Sequence, residues 1–400
     1  MANQQLHWLK AEHLKIAATI LIVAYPVTIF GWGVMSHDLV TLAGLPFGSD
    51  FITFWAASHL ALAGEPAAAF DTARIVAAEK LAVAANGGVF LWHYPPSFQL
   101  IILPLALLPY LVAYFLWALT TLALLFAVVR RFAPSPYALP LLVTFTGTFF
   151  NFFHGQNGFL TAALFGAGML LLRERPILAG ILLGLMSYKP QFGLLLPIAL
   201  LAGRQWTAFA AATCSTLALG IASWAVLGGE VWIAFWKNLP LVQEILASGR
   251  LPWSKIPSVF VALRTLGMPQ TGAYTGQAMA AVFVAVTIAW IWKTQPGSRI
   301  AIAALVAGTP LMSPYVFDYD LALLALPIAI LAWDGVERGW LPGEREMLIL
   351  AFFTPALVST LAYASALQLG PLFLVLFFAM TVRRALRAPM ELGAGAPARP

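Results

Sequence analysis

Long apolar runs follow one another from end to end of this chain and limit its folds more than any other feature. Each run is bounded by glycine, proline or charged residues, and several approach the ~20 residues that a helix needs to cross a bilayer. Hydrophobic residues make up 61% of the 400 positions and charged residues only 10%, whereas soluble domains hold about 45–50% and about 25%. Because the runs are continuously apolar, a β-barrel is disfavoured. The sequence predicts an all-α polytopic membrane protein.

The apolar runs predict a bundle of about twelve membrane-spanning helices. These spans lie near residues 14–35, 111–129, 137–152, 158–172, 176–188, 190–203, 205–227, 273–292, 299–313, 319–333, 346–366 and 370–382. The stretch 94–110 contains four prolines, which interrupt a helix, and is interpreted as an interfacial or half-inserted element. Twelve spans place both termini on one side, and most lysines and arginines then share that side, which the positive-inside rule makes cytoplasmic. The expected location is the bacterial inner (plasma) membrane, with the active site on the periplasmic or outer face.

This arrangement makes residues 1–400 a single integral membrane domain. Its parts are a first span (14–35), an outer loop (36–110), core spans (111–227), a second outer loop (228–272), C-terminal spans (273–382) and a cytoplasmic tail (383–400). The first outer loop is expected to hold two amphipathic juxtamembrane helices near 51–63 and 71–85. Phe51, Trp55 and Leu62 should face lipid from the first helix, and Asp71 should cap the second.

Several classes of function are disfavoured. The net charge of +6 comes from basic residues at the ends of apolar runs, without a stripe that suits nucleic acid. The single cysteine, Cys214, excludes an internal disulfide and a CxxC motif. No histidine pair has metal-ligand spacing within a helix, and no phosphate-binding or dinucleotide-binding glycine pattern occurs. We therefore expect neither a metal nor a cofactor.

Asp50 is the most informative single residue, since it stands just outside the first predicted span in a chain with few charges. A carboxylate in this place can serve as a general base that takes a proton from an attacking hydroxyl. The alternative is that Asp50 only caps the helix that begins at Phe51, which is a common use of aspartate. Both interpretations stay open from spacing alone.

The other candidates lie in turns on the same predicted outer face. Lys189, at the tip of a tight hairpin, could bind the phosphate of a lipid donor, or it could simply extend to the interface. Arg250 and Lys255 are further phosphate candidates, with contact to lipid headgroups as the alternative. The remaining candidates could contact hydroxyl groups or titrate near neutral pH, or could merely satisfy turns and helix caps: Gln156, Asn157, Asp318, Asp320 and His93.

The order of these motifs resembles glycosyltransferase family 87. The matching segments are Asp50-Phe51 with Phe54-Trp55, then Tyr94-Pro95-Pro96, Gly155-Gln156-Asn157-Gly158, Leu178 to Leu185 ending in Lys189-Pro190, and Leu311-Met312-Ser313-Pro314. The resemblance covers roughly residues 10–335. Two departures stand out: Tyr315 replaces a frequent histidine, and Ala67-Ala68-Ala69 intervenes before Phe70-Asp71.

The resemblance implies a GT-C fold and inverting transfer of a sugar, often mannose, from a polyprenyl-phosphate donor to a lipid or glycan hydroxyl. It implies that Asp50 is the base, that Lys189 contacts the donor phosphate, and that Tyr94, Gln156 and the 313–320 turn, including Tyr315, line the cavity. The alternative is a multi-span secondary transporter or lipid flippase. Transporters often carry internal repeats and ionisable residues inside spans, and neither is evident in this sequence.

Overall fold

The computed structural model describes residues 11–42 and 44–387, and the regular structure in these ranges is helical. The α-helices, in chain order, are α1 (Ala11–Met35), α2 (Phe51–Leu62), α3 (Thr72–Ala82), α4 (Pro96–Ile102), α5 (Tyr110–Phe132), α6 (Ala138–Thr144), α7 (Thr146–His154), α8 (Gly158–Leu171), α9 (Pro176–Leu185), α10 (Pro190–Gly193), α11 (Leu195–Ala202), α12 (Trp206–Leu227), α13 (Gly229–Ala247), α14 (Val259–Thr265), α15 (Gln270–Thr294), α16 (Arg299–Gly308), α17 (Ala325–Arg338), α18 (Glu344–Ser365) and α19 (Gly370–Arg387). Short 3-10 turns connect them at Pro66–Phe70, Leu103–Leu107, Met186–Tyr188, Trp253–Lys255, Thr309–Leu311 and Asp318–Leu324. Of the predicted tail 383–400, residues 388–400 lie outside the described ranges.

The prediction of an all-α membrane protein is confirmed, but the count of about twelve spans is not supported. Five helices of the described chain are long and apolar enough to cross a membrane: Tyr110–Phe132, Trp206–Leu227, Gln270–Thr294, Asp318–Arg338 and Glu344–Ser365. The predicted spans 137–152 and 190–203 are each two short helices, broken at Phe145 and Leu194. Apolar length alone does not distinguish a broken helix from a continuous span.

The stretch 94–110 folds as short helices that hold α2 in place. Its prolines allow α4 and the following 3-10 turn but no long helix. The Trp55 indole nitrogen of α2 donates to the Leu108 carbonyl at 3.0 Å, and the Ser58 hydroxyl donates to the Ile102 carbonyl at 2.8 Å. These bonds attach the middle of α2, the helix that follows Asp50, to the 102–108 segment.

Both juxtamembrane helices form, with one correction to the faces predicted for them. Leu62 is exposed as expected, but Phe51 is fully buried against the rings of Tyr110 and Tyr114. The prediction that Phe51 faces lipid is wrong because α5 covers that side of α2. The predicted cap of α3 is confirmed, since the Asp71 side chain accepts from the backbone N–H of Arg74 at 3.0 Å.

A buried ion cluster joins the C-terminal helix to the preceding two. The Arg384 guanidinium of α19 donates to Asp334 Oδ2 at 2.6 Å, to Glu344, and to the carbonyl of Gly339 at 3.0 Å. All three charged side chains are buried. Nothing local in the sequence indicates that charges 40 and 50 residues apart pair in the interior.

Three apolar clusters meet near Asp50. The largest joins α5, α8, α9, α11, α16 and α17, a second surrounds α2 and α4, and a third joins the end of α13 to α14 and the segment that starts at Phe317. Tyr188, fully buried, stacks on Phe98 of the second cluster at a centroid distance of 4.9 Å. The polar turns predicted on the outer face thus lie at the junction of separately packed units.

Candidate functional site

Asp50 precedes the first residue of α2, yet its side chain does not cap the helix. Its backbone is helical, and its carboxylate makes no hydrogen bond to the free N–H groups of the first turn. Instead, Oδ2 accepts from the Gln156 side-chain amide at 3.1 Å and Oδ1 accepts from the Ser49 hydroxyl at 3.2 Å. A quarter of the side chain (25%) stays exposed. The cap interpretation therefore does not explain why aspartate stands at this position.

Left-handed backbone on both sides brings these groups together. Gly48 has φ +86° and Ser49 has φ +43°, a conformation that residues with a β-carbon rarely adopt. On the opposite side α7 ends in His154, and Gly155 follows with φ +59°. A β-carbon added to Gly155 would lie 2.5 Å from Cβ of Phe51. Only glycine allows the α7 turn to approach α2 this closely.

The Asp50 carboxylate is ionised in this environment. Burial raises its pKa. Three groups lower the pKa and together outweigh burial: His154, whose Nδ1 lies 3.6 Å from Oδ1, Lys255 and the Gln156 amide. The net effect lowers the pKa of Asp50 to about 2. A carboxylate that is charged at neutral pH and partly exposed can accept a proton from a substrate.

Tyr94 and Gln156 continue the network from Asp50. The Tyr94 hydroxyl donates to Gln156 Oε1 at 2.9 Å, which orients the opposite amide nitrogen toward Asp50. Burial raises the pKa of Tyr94 well above its usual value, and the negative charges of Asp320 and Asp50 raise it further. Tyr94 is therefore a neutral hydrogen-bond donor at neutral pH.

Lys189 lies in the interior and is fully engaged. Its ammonium donates to Asp320 and, at 2.6 Å, to Asn157 Oδ1. The side chains of Lys189 and Asp320 are only 4% and 2% exposed. Asp320 also accepts from the backbone N–H of Phe317 at 3.0 Å, so it organises the turn as well as the ion pair. The Asn157 side chain also hydrogen-bonds to Tyr94.

Asp318 and Tyr315 flank this ion pair. Asp318 is fully buried, accepting from the Ser359 hydroxyl at 2.7 Å and from the backbone N–H of Tyr319 at 2.8 Å. Burial, followed by the charges of Asp320 and Asp50, raises the pKa of Tyr315 above its usual range. Tyr315 therefore also stays neutral near the two carboxylates.

Two predicted site residues lie apart from this network. Arg250 is exposed and pairs with Glu244 at 2.5 Å. His93 contacts Asn238 of α13 through Nδ1 at 3.3 Å, and burial lowers its pKa to about 4. Lys255, in contrast, acts on this network through its positive charge, which affects the carboxylates of both Asp50 and Asp318.

No group of three or more histidine, cysteine, aspartate or glutamate side chains in residues 11–42 and 44–387 could hold a metal ion. The titratable groups around Asp50 are instead linked through hydrogen bonds to amides and hydroxyls.

The sequence indicated that His154 titrates near neutral pH, but it did not predict that His154 and Ser49 belong to the network of Asp50. His154 is 3% exposed on its side chain, and its Nδ1 lies 3.2 Å from the Ser49 hydroxyl oxygen. The available signal was a histidine directly before the Gly155-Gln156 turn, on the same predicted face as Asp50. The pairing itself spans 105 residues and has no local signature.

The fold and the site together define a multi-pass helical membrane protein with a buried polar centre next to an ionised carboxylate. The family model of glycosyltransferase family 87 matches residues 92–314, which is more than half of the chain. The chain belongs to this family and is a membrane glycosyltransferase. The match includes Tyr94, Gln156, Lys189 and Lys255 and begins after Asp50. No curated protein and no solved structure matches the chain.

Proposed function

We propose that the protein transfers a hexose, such as mannose, from a polyprenyl-phosphate donor to a hydroxyl of a lipid or glycan, with Asp50 as general base. The observation that carries this proposal is the state of Asp50: ionised, partly exposed, and bonded to Gln156 and Ser49 instead of to its own helix. A base must be deprotonated and within reach of its substrate. The low pKa and the partial exposure of Asp50 support this role.

The proposed reaction is a single displacement. The acceptor hydroxyl oxygen forms a bond to the anomeric carbon, the bond from that carbon to the phosphate oxygen breaks, and the hydroxyl proton passes to Asp50. Polyprenyl phosphate leaves, and the anomeric configuration inverts. The low pKa of Asp50 suits a late proton transfer, because the hydroxyl becomes strongly acidic once its oxygen bonds to a carbon with oxocarbenium character.

Lys255 is our first choice for the cation that meets the donor phosphate. Its charge reaches Asp50 and Asp318, and it makes no ion pair among the described residues. Lys189 could meet the phosphate only by leaving Asp320. Arg250 is already neutralised by exposed Glu244.

Sugar and acceptor hydroxyls would contact the polar groups around Asp50. Tyr94 and Gln156 bond to each other beside it, and Asn157 bonds to the ammonium of Lys189. Tyr315, Asp318 and Asp320 would line the same centre. We further propose that the site faces the periplasm of the bacterial inner membrane, with both termini in the cytoplasm, as the distribution of basic residues favours.

The test is to incubate the purified protein with radiolabelled polyprenyl-phosphate hexoses and a membrane lipid extract. We expect label in a new glycoconjugate and release of polyprenyl phosphate. Movement of label across vesicles without a new glycoconjugate would instead support a transporter or flippase and would contradict the proposal.

The phosphate assignment has its own test. Lys255→Ala should raise the donor KM by about 10- to 100-fold, since a charge-assisted hydrogen bond contributes about 1.5–3 kcal/mol. Lys237→Ala is the matched control, because this lysine is exposed on α13 in the same outer segment. Equal donor KM values for the two variants would remove Lys255 from the phosphate site.

A further inference from the structure

His154 meets Asp50 through a chain of hydrogen bonds that includes Ser49. The Ser49 hydroxyl oxygen lies 3.2 Å from Asp50 Oδ1 and 3.2 Å from His154 Nδ1. A direct approach of Nδ1 to Oδ1 measures 3.6 Å. The three groups form a triangle at the point where α7 ends and α2 begins.

The chemistry of the three groups fixes the direction of these bonds. An ionised carboxylate only accepts, so the single hydroxyl proton of Ser49 points to Asp50. Ser49 can then only accept from His154, which requires that Nδ1 carry a proton. The order of donation is therefore His154 Nδ1–H to Ser49 Oγ–H to Asp50 Oδ1.

The backbone at Ser49 is strained in the conformation that forms this triangle. Ser49 has a β-carbon and still adopts φ +43°, directly after Gly48 at φ +86°. Strained backbone of this kind is concentrated at functional sites. A histidine that served only to fill the core would not require a strained serine as its partner.

We propose that His154 is a positioning residue for Asp50, which orients the carboxylate through Ser49 for proton acceptance. This inference rests on the proposed function of Asp50. Gln156 holds the other carboxylate oxygen at 3.1 Å, so both oxygens are oriented from the α7 turn. The proton that Asp50 takes can pass on to solvent, since a quarter (25%) of the Asp50 side chain is exposed.

The charged and titratable groups around His154 come from several elements. Asp50 approaches from the start of α2, and Asp318 from the turn before α17 also feels the charge of the imidazole. The Tyr319 ring lies 5.4 Å from the imidazole, centroid to centroid. The charge of Lys255 acts on the same two carboxylates. The Lys189 and Asp320 pair, Tyr94 and Tyr315 complete the surroundings.

Two substitutions at His154 separate orientation from charge. The side-chain amide of His154→Asn can place a donor near the position of Nδ1 but cannot carry a charge, whereas His154→Phe removes both properties. We expect His154→Phe to lower kcat by roughly 10- to 100-fold with little change in donor KM, and His154→Asn to restore most of this loss. In both variants the acid limb of the kcat profile should move to higher pH, because Asp50 loses a neighbour that lowers its pKa.

Ser49→Ala provides a variant that removes one oxygen and keeps the imidazole. It should lower kcat and move the acid limb by less than the His154 variants do, because only one hydrogen bond to the carboxylate is lost. The proposal is overturned if His154→Phe keeps wild-type kcat, or if the acid limb of both His154 variants coincides with that of the wild type, which the pKa of about 2 for Asp50 places at the acid end of the accessible range. If Asp50→Asn is inactive while the His154 variants behave like wild type, the inference fails and the proposed function stands. If Asp50→Asn is fully active, the proposed function itself fails.

Discussion

Removing the charge of either Lys189 or Asp320, which form a buried ion pair, should destabilise the protein strongly. The two side chains are 4% and 2% exposed, so Asp320→Asn leaves an ammonium in the interior with Asn157 as its principal neutral partner. Loss of one partner of a buried ion pair costs about 3–5 kcal/mol. Lys189→Met should cost a similar amount, because it leaves the Asp320 carboxylate unpaired. The double variant Lys189→Met/Asp320→Asn removes both charges and keeps an oxygen for the backbone N–H of Phe317. It should be more stable than either single variant.

The assay is unfolding of the purified variants by denaturant, followed through the fluorescence of the 14 tryptophans. The coupling free energy follows from the cycle of two single variants and the double variant. Losses below about 1 kcal/mol in the single variants, as for exposed pairs, would refute the reasoning. So would a double variant that loses the sum of the two single effects. The same double variant also tests the donor role predicted for Lys189, since a stable protein with unchanged donor KM would assign Lys189 to structure alone.

Two further predictions concern the approach of α7 to α2 and the buried carboxyl of α3. Gly155→Ala should lower kcat by about 100-fold, because its β-carbon would collide with Phe51 and displace Gln156. Gly193→Ala, which has open space, is the control, and equal kcat values would contradict the prediction. Burial raises the pKa of Glu79 from 4.5 to about 8. Between these pH values the folded state holds a proton that the unfolded chain releases. The free energy of unfolding should therefore fall as pH rises from about 4.5 to about 8. Glu79→Gln should remove this slope and stabilise the protein by up to about 3 kcal/mol at pH 7, and an unchanged slope in thermal unfolding at several pH values would refute the assignment.

Much of the helical layout was predictable because apolar runs and their boundaries are local properties of the sequence. The start of α2 after Asp50 and the cap of α3 by Asp71 follow from such signals. The span count failed where short helices stop inside an apolar run, as at Phe145 and Leu194. The prediction that Phe51 faces lipid failed because it assumed that α2 lies on the membrane surface. In the structure α5 covers that face of α2.

The sequence predicted several residues of the candidate site, but few of the hydrogen bonds and ion pairs between them. Motif order led to Asp50, Tyr94 and Gln156, which the structure links in one network. The partner of Lys189 was not evident, since Asp320 lies 131 residues away and an ammonium at a hairpin tip also suits an exposed role. The use of His154 likewise depends on the tertiary approach of α7 to α2.

The central claim is that the Asp50 carboxylate accepts the proton of the acceptor hydroxyl. Its most direct test is the turnover of purified Asp50→Asn with a polyprenyl-phosphate hexose, compared with Asp38→Asn in the same outer loop, where Asp38 is 70% exposed. The account predicts that Asp50→Asn loses at least about 100-fold in kcat while donor binding and thermal stability are retained, and that Asp38→Asn keeps wild-type activity. Wild-type turnover by Asp50→Asn would contradict it.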